Sequence, residues 1–290
     1  MDKLTTKKIR GKEILLYGVI FLCSALSVIL LLWMILFILK KGIGSVDWSF
    51  LTTVTSLRKG TVGIAGNIVN TLLIIFLTML FSTPIGIGAA VYLNEYAKTG
   101  KLVSVIEFAT ETLSGIPSII FGLFGMMFFA ETLGLGYCIL TGSFTLILMV
   151  LPLITRNTQE ALKTVPDGYR NGAIGLGAGK WHMIRTILLP SAMPGIITGV
   201  ILAIGRIVGE SAALLFTAGA AKLLPNGLGG IFDKIFQSGG TLTIQLYLSA
   251  TSEGDFETAY AIAVVLLIIV LGINLFTKAF TKRFDATKRT

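Results

Sequence analysis

The stretch Asn171-Gly-Ala-Ile-Gly-Leu-Gly-Ala-Gly-Lys-Trp-His-Met-Ile-Arg-Thr-Ile-Leu-Leu-Pro190 sits between two long apolar runs, with Arg156, Lys163 and Arg170 before it and Lys180 and Arg185 inside it. A glycine-rich, cationic segment between two membrane-length runs reads as a loop on one face of a bilayer, since basic residues beside spans set a chain's orientation. Two readings fit the stretch itself. In one it is a short docking helix laid in a partner's groove, where small residues permit close approach and a few apolar side chains set the register. Ala173, Gly177 and Ala178 then supply the small surface, and Leu176, Trp181 and Ile184 the anchors. In the other it is an amphipathic loop resting at the headgroups. On either reading Pro190 ends the segment and starts the next helix, because proline is tolerated in a first turn.

Outward from this loop, the 290-residue chain is 54% hydrophobic and 13% charged, with a mean hydropathy of +0.85. A soluble domain carries about 25% charged residues, so this is an integral membrane protein. The net charge of +9 would suit a nucleic-acid binder. Its distribution does not, because the lysines and arginines gather in short segments beside the apolar runs. Cys23 and Cys138 lie in or beside apolar runs without metal-like spacing and read as packing residues. The single histidine, His182, excludes a histidine-based metal site or triad. The first apolar run is too long for a signal-peptide core and lacks a small-residue cleavage site, so it reads as a retained span.

Taken in order, residues 1–13 form a basic tail with Lys3, Lys7, Lys8, Arg10 and Lys12, and a first span follows over 14–39. Residues 40–66 read as an external loop. A second span covers 67–92, with Pro84, Gly86 and Gly88 where a helix bends or packs closely. The third apolar region, 102–129, carries Glu107 and Glu111 and is interrupted by Gly115 and Pro117, so it should be a broken helix facing protein or a water-filled path. Glu107 and Glu111 lie near its start, placed to cap or to pair with Lys98 or Lys101. A fourth span covers 138–155, the loop 156–190 follows, and a fifth span covers 195–218. Gly195-x-x-x-Gly199 and Gly205-x-x-x-Gly209 give that fifth helix two close-packing faces. Residues 219–256 form a second external segment with turns at Pro225-Asn-Gly and Ser238-Gly-Gly. Within it the alternation Thr241-Leu-Thr-Ile-Gln-Leu-Tyr-Leu reads as an interfacial piece or a short strand. The sixth span covers 257–276, and a basic tail, 278–290, ends the chain. Six spans put both termini on one side, and the basic excess of that side makes it the cytoplasm.

Within the fifth span stand Arg206 and Glu210. Counted from Gly195, Arg206 falls ~16 Å into a core ~30 Å thick, where a charge costs ~2.5–3.5 kcal/mol unless it faces protein or water. The i,i+4 spacing predicts that the two share a helix face. One reading is mutual neutralisation between packed helices. In the other, Arg206 offers a planar donor fork to a tetrahedral oxyanion, and Glu210 orients and partly neutralises that fork so that the anion leaves again. Ser211 and Thr217 are weaker candidates, more in keeping with packing hydroxyls. Gly175-Leu-Gly-Ala-Gly-Lys-Trp lacks the spacing and the hydroxyl of a P-loop, so no ATP hydrolysis is expected of this chain. No zinc, haem or triad motif is present.

Three motifs resemble those of the permeases of binding-protein-dependent ABC importers, the MetI-like family. Their loop pattern, E-A-A, three residues, G, nine residues, I-x-L-P, appears as Asn171-Gly172-Ala173, Gly177 and Ile187-Leu188-Leu189-Pro190, with Asn171 and Gly172 departing from the usual Glu and Ala. Gly115-Ile-Pro-Ser-Ile-Ile-Phe-Gly-Leu-Phe-Gly125 is similar to a signature of the phosphate importer permeases of the PstA type. The Arg206-x-x-x-Glu210 pair resembles one associated with phosphate passage in that group. The resemblance covers about 67–276. It implies an all-α integral membrane fold of six transmembrane helices, with a permease domain over 14–277, a MetI-like core over about 67–277 and a cytoplasmic coupling helix in the loop 156–190. Asn171, Gly172, Ala173, Leu176, Gly177, Ala178, Trp181, Ile187, Leu189 and Pro190 become ATPase-coupling residues, and Arg206, Glu210, Ser211 and Thr217 line the substrate pathway. The implied partners are a second, homologous permease (PstC-type), two ATP-binding subunits (PstB-type) that carry the ATP and magnesium, and an extracytoplasmic phosphate-binding protein, all at a bacterial or archaeal cytoplasmic membrane. No cofactor or metal is implied for this chain. A permease for molybdate or sulfate, or an ATP-independent anion transporter, is the alternative.

Overall fold

A computed structural model describes residues 11–56, 61–97, 100–224 and 229–284. Among these, the helices long and apolar enough to cross a bilayer are Leu15–Ser45, Ala65–Tyr96, Ile139–Lys163, Lys180–Val208 and Phe256–Ala279. A sixth crossing is broken. Helix α1 (Gly11–Gly42) leads to a short helix α2 (Trp48–Thr52) and a two-stranded antiparallel ribbon, β1 (Val54–Ser56) with β2 (Thr61–Ile64). Helix α3 (Ala65–Val91) runs on through a wider turn, Tyr92–Tyr96. Helices α4 (Lys101–Ser114) and α5 (Ser118–Gly125, extended by Met126–Thr132) follow, then α6 (Ile139–Lys163).

The break between α4 and α5 has the cause read from the sequence. Pro117 offers no N–H and drives Ile116 out of helical geometry, so α4 stops at Ser114 and α5 restarts at Ser118, bent by 102°. The 14 residues of α4 reach only ~21 Å, short of the ~30 Å needed to span alone. The pair nonetheless enters at the end where α3 stops and leaves at the end where α6 begins. It therefore crosses once, which makes six crossings.

Two ends of the bundle are distinguished by what packs there. At one end Asn67 Nδ2 donates to the Gly240 carbonyl (2.9 Å), Asn70 Nδ2 to those of Ala221 and Gly240 (3.1 Å each), and the Leu242 amide to Thr71 Oγ1 (3.0 Å). The start of α6 joins the same layer, with the Ile139 amide on the Gln237 carbonyl at 3.1 Å. At the other end the loop after α6 folds into α7 (Asp167–Gly175) and α8 (Lys180–Met183), and a wider turn, Ile184–Leu188, leads into α9 (Leu189–Val208). After α9 come α10 (Ala212–Leu215), α11 (Gly229–Ile235), α12 (Leu242–Thr251) and α13 (Phe256–Phe284).

Close backbone approach holds the central helices, as expected where lipid removes any apolar driving force between them. A Cβ on Gly195 would stand 2.6 Å from Ala161 Cβ, and one on Gly199 2.7 Å from Asn157 Cβ, so this glycine pair seats α9 on α6. The second pair does not do so. Gly205 faces open space, and Gly209 meets only its own preceding turn. The signature glycines of α5 serve the same end: a Cβ on Gly122 would lie 2.7 Å from Ala213 Cα, and Gly125 abuts Thr145 and Thr217.

Several boundaries differ from those read in the sequence. Helix α6 runs past residue 155 to Lys163, which puts Arg156 and Glu160 on a helix instead of a loop. The fifth span starts with α8, not at Gly195, and ends at Val208, well short of residue 218. Pro190 does not end the segment: the helical path runs unbroken from Lys180 to Val208, and the wider turn Ile184–Leu188 just before the proline accommodates its missing N–H. The alternating stretch 241–248 is not a strand but the start of helix α12. Thr241 caps α12, accepting from the Ile244 amide (3.3 Å), and Leu242, Ile244, Gln245 and Ser249 form its buried face. The basic tail 1–13 falls mostly outside the described residues, as does the turn at 225–227, while α13 extends into the tail 278–290 as far as Phe284.

Candidate translocation site and coupling surface

Arg206 lies in the last turn of α9, where the helix dipole favours a cation. Among the described residues it is half-buried, with no hydrogen bond or ion pair to any of them, beside the open flank of Gly205. Glu210 does not share its helix face. Helix α9 ends at Val208, capped by Gly209, and Glu210 turns away: its Oε1 accepts from the Ala213 amide (3.0 Å) and caps α10, while its carbonyl accepts from Thr243 Oγ1 (3.1 Å). The i,i+4 rule assumes an unbroken helix, and the break at Gly209 removes that premise. The depth measured from Gly195 lapses with the earlier start of the helix.

Ser211 is half-buried beside Glu210 at the break. Thr217 is fully buried, its hydroxyl donating to the Ala213 carbonyl at 2.8 Å and its methyl against Gly125, as a packing hydroxyl would be. The structure thus brings Arg206, Glu210 and Ser211 to one break and leaves Thr217 in the packing beyond it.

The coupling loop has a buried side and an open side. Ala173, 5% exposed, and Ile184, fully buried, belong to the apolar core at this end with Leu162, Val165 and Leu188. They seat the loop on the bundle and are not part of its outer surface, which corrects their reading as contact residues. Ala178, Ile187 and Leu189 are half-buried against the same core. Facing outward are Asn171, Gly172, Leu176, Gly177, Trp181 and Pro190, with Leu176 91% exposed. Gly177 has φ +81°, and nothing lies within 4 Å of the site of a Cβ. Its amide donates to the Ile174 carbonyl (2.9 Å) and that of Ala178 to the Ala173 carbonyl (3.0 Å), which is the Schellman ending of a helix. The motif glycine is therefore needed to stop α7, as well as leaving the outer face small.

Arg170 is the residue that the sequence under-read. Its Nε and Nη2 donate to Glu95 Oε1 (3.4 and 3.0 Å), Nη1 to Asp167 Oδ1 (3.1 Å) and the Val165 carbonyl (2.9 Å), and Nη2 also to the Leu162 carbonyl (2.9 Å). Glu95 stands 75 positions away. Only the Arg170–Asp167 part, at i,i+3, could have been found from spacing. Nearby, Lys180 Nζ lies over the Tyr96 ring, 4.9 Å from its centroid.

A cavity of about 220 Å³ opens near the same end, lined by Glu107, Thr110, Glu111, Arg156, Gln159 and Lys163. Arg156 there lies 3.9 Å from Glu111 and 3.7 Å from Glu160. The partner of Glu111 is thus Arg156 rather than Lys101, because α6 is longer than expected; Lys98 lies outside the described residues.

Residues 82–290 match the family described as "Binding-protein-dependent transport system inner membrane component". The chain belongs to this family. It is 37% identical over 268 residues to the "Probable ABC transporter permease protein YqgI" of Bacillus subtilis (strain 168), covering 89% of this chain and 91% of that one. It is also 37% identical over 212 residues to the "Phosphate transport system permease protein PstA" of Mycobacterium leprae (strain TN), covering 72% and 67%. Among solved structures, a permease of a bacterial alginate ABC transporter, in complex with its alginate-bound periplasmic protein, superposes with a TM-score of 0.69 at 15% identity, over 95% of this chain and 96% of that one. That likeness bears on the fold alone. The chain is a membrane translocation subunit with the permease fold of ABC importers.

Proposed function

We propose that the chain is a phosphate-translocating subunit of an ATP-driven importer, with Arg206 as the group that receives the anion. The carrying observation is the contrast between two arginines. Every N–H of Arg170 is engaged by protein, whereas the guanidinium of Arg206 has no protein partner among the described residues. An unpaired guanidinium at a helix break keeps its fork free for a tetrahedral oxyanion. The relatives named as phosphate permeases support phosphate as that anion. Glu210 and Ser211 shape the break around it.

In this reading the protein works with a second, homologous permease of the PstC type, two ATP-binding subunits of the PstB type that hold ATP and magnesium, and a phosphate-binding protein outside the membrane. This chain needs no cofactor of its own. The outward face of α7 and α8 receives the ATP-binding subunits, and closure of that pair rocks the bundle between outward and inward access.

The complete transporter in proteoliposomes, with labelled phosphate inside the binding protein's compartment, tests the substrate. A tenfold excess of sulfate or molybdate should leave phosphate uptake within about twofold of the control. Competition as strong as that by unlabelled phosphate would overturn phosphate as the substrate. We put the coupling-loop end and both termini on the cytoplasmic side of a bacterial or archaeal cell membrane, a reading supported by the basic residues Lys163, Arg170, Lys180 and Arg185 at that end. Single cysteines at the exposed positions Lys180 and Asp233, treated with an impermeant thiol reagent in intact cells, should label only at Asp233. Labelling at Lys180 would reverse the topology.

A further inference from the structure

We infer that Arg170 and Glu95 form the joint through which a displacement of α7 reaches the transmembrane core, and that uptake per ATP depends on this joint being intact. The inference rests on the docking role proposed for α7. Its basis is the saturation of one side chain. A guanidinium has five N–H donors, and Arg170 spends one on each of five bonds: two to Glu95, one to Asp167, and one each to the Leu162 and Val165 carbonyls. Leu162 lies in the last turn of α6 and Val165 just beyond it, where carbonyls lack the i+4 partner of a helix interior; that of Leu162 accepts also from the Val165 amide at 3.3 Å. Glu95 lies in the turn Tyr92–Tyr96 that ends α3. One side chain therefore ties α7 to the ends of two membrane-crossing helices.

The joint is shielded. Only 18% of the Arg170 side chain and 6% of the Glu95 side chain remain exposed. A second carboxylate contact, Asn94 Nδ2 to Glu95 Oε1 at 2.7 Å, holds Glu95 in place. Shielded and charge-assisted, with Nε and Nη2 converging on the one oxygen Oε1, this pair resists displacement far better than an exposed ion pair. The Lys180–Tyr96 contact lands on the same turn of α3 from α8, so both halves of the loop grip one point. The apolar core beneath, Val91 of α3 with Ala161 and Leu162 of α6 and Ala173 of α7, closes the gap between the same three elements. Packed elements move as bodies and not by gradual deformation. Without the joint α7 would slide on that apolar core, and its displacement would be lost before reaching α3.

Arg170 and Glu95 are positioning residues that touch no substrate. Their test is the ratio of phosphate imported to ATP hydrolysed, measured on the complete transporter in proteoliposomes. Glu95→Gln keeps an acceptor oxygen but removes the charge. Membrane abundance and recovery of the ATP-binding subunits should stay within about twofold of wild type, while uptake per ATP falls about tenfold. Glu95→Asp, which keeps the charge, should lie between. An unchanged ratio in Glu95→Gln would overturn the inference.

A second variant decides the matter if Glu95→Gln fails to reach the membrane. Cysteines at 95 and 170, in a chain with Cys23→Ser and Cys138→Ser, are measured before and after bridging with a short bismaleimide. Bridging should raise uptake per ATP at least fivefold, because any rigid tie suffices; no rise would equally overturn the joint. Failure of the wild-type chain itself to retain ATP-binding subunits would instead refute the docking role of α7, whatever these variants do.

Discussion

Arg206→Gln is expected to lower phosphate uptake by the complete transporter about 100-fold or more, with membrane abundance and subunit recovery unchanged. The size follows from the two charge-assisted hydrogen bonds a fork makes to an oxyanion, at ~1.5–3 kcal/mol each, set against ~1.4 kcal/mol per tenfold. The unchanged abundance follows from the structure. Had Glu210 been paired with Arg206, removing the arginine would have left a buried carboxylate uncompensated, at a cost of several kcal/mol. Glu210 instead caps α10 through the Ala213 amide, so the substitution orphans nothing. Arg206→Lys keeps the charge but loses the fork, and should retain about a tenth of wild-type uptake. Labelled-phosphate uptake normalised to immunodetected chain separates the outcomes. Uptake above half of wild type in Arg206→Gln would remove Arg206 from the pathway. Loss of abundance restored by Glu210→Gln would make the two a structural pair after all.

Leu176→Asp combined with Trp181→Ala should cut recovery of the ATP-binding subunits at least about tenfold while the chain still accumulates in the membrane. Both side chains are mainly exposed on the outer face of the coupling loop and belong to no core cluster, so nothing inside the bundle depends on them. Burying a leucine or an aromatic at an interface contributes ~1.5–3 kcal/mol, and a carboxylate left in that contact adds a desolvation cost. Pull-down on a tagged chain, in mild detergent, measures it. Full recovery would show that the ATP-binding subunits dock elsewhere. Gly177 is a poorer probe. Its φ of +81° means that any side chain strains the end of α7, so a loss there would not separate docking from folding.

The two arginines show what a sequence can and cannot rank. Both are basic residues near helix ends, and composition treats them alike. Their partners differ because Glu95, 75 positions away, is brought to Arg170 by the packing of α3 against α6, a long-range arrangement that no local spacing encodes, while the turn from α6 into α7 presents the Leu162 and Val165 carbonyls. Among the described residues no such neighbour is brought to Arg206. Its apparent partner at i+4 is lost because Gly209 ends the helix between them.

What the sequence determined by itself is what depends on local chemistry or on bulk composition. Membrane residence follows from the apolar runs, and the six crossings from their number and length. The break in the third follows from Pro117, whose geometry is intrinsic to its ring. The loop's family pattern and the seating of α9 by Gly195 and Gly199 were legible for a similar reason, since small residues at i,i+4 permit close approach on one helix face. Helix lengths were less legible, because α6 extends beyond its apolar core into polar residues that the packing stabilises, and the fifth span starts earlier, at α8, and stops at Gly209 inside an apolar run. The alternation at 241–248 was misleading for the same cause. Asn67, Asn70 and Thr71 of α3 take up the backbone groups at 240–242 and hold α12 in place, overriding a strand-like pattern. Only the tertiary structure decided which loop residues face outward, which are core, and which of Arg170 and Arg206 is paired among the described residues, because each of those depends on neighbours distant in the chain.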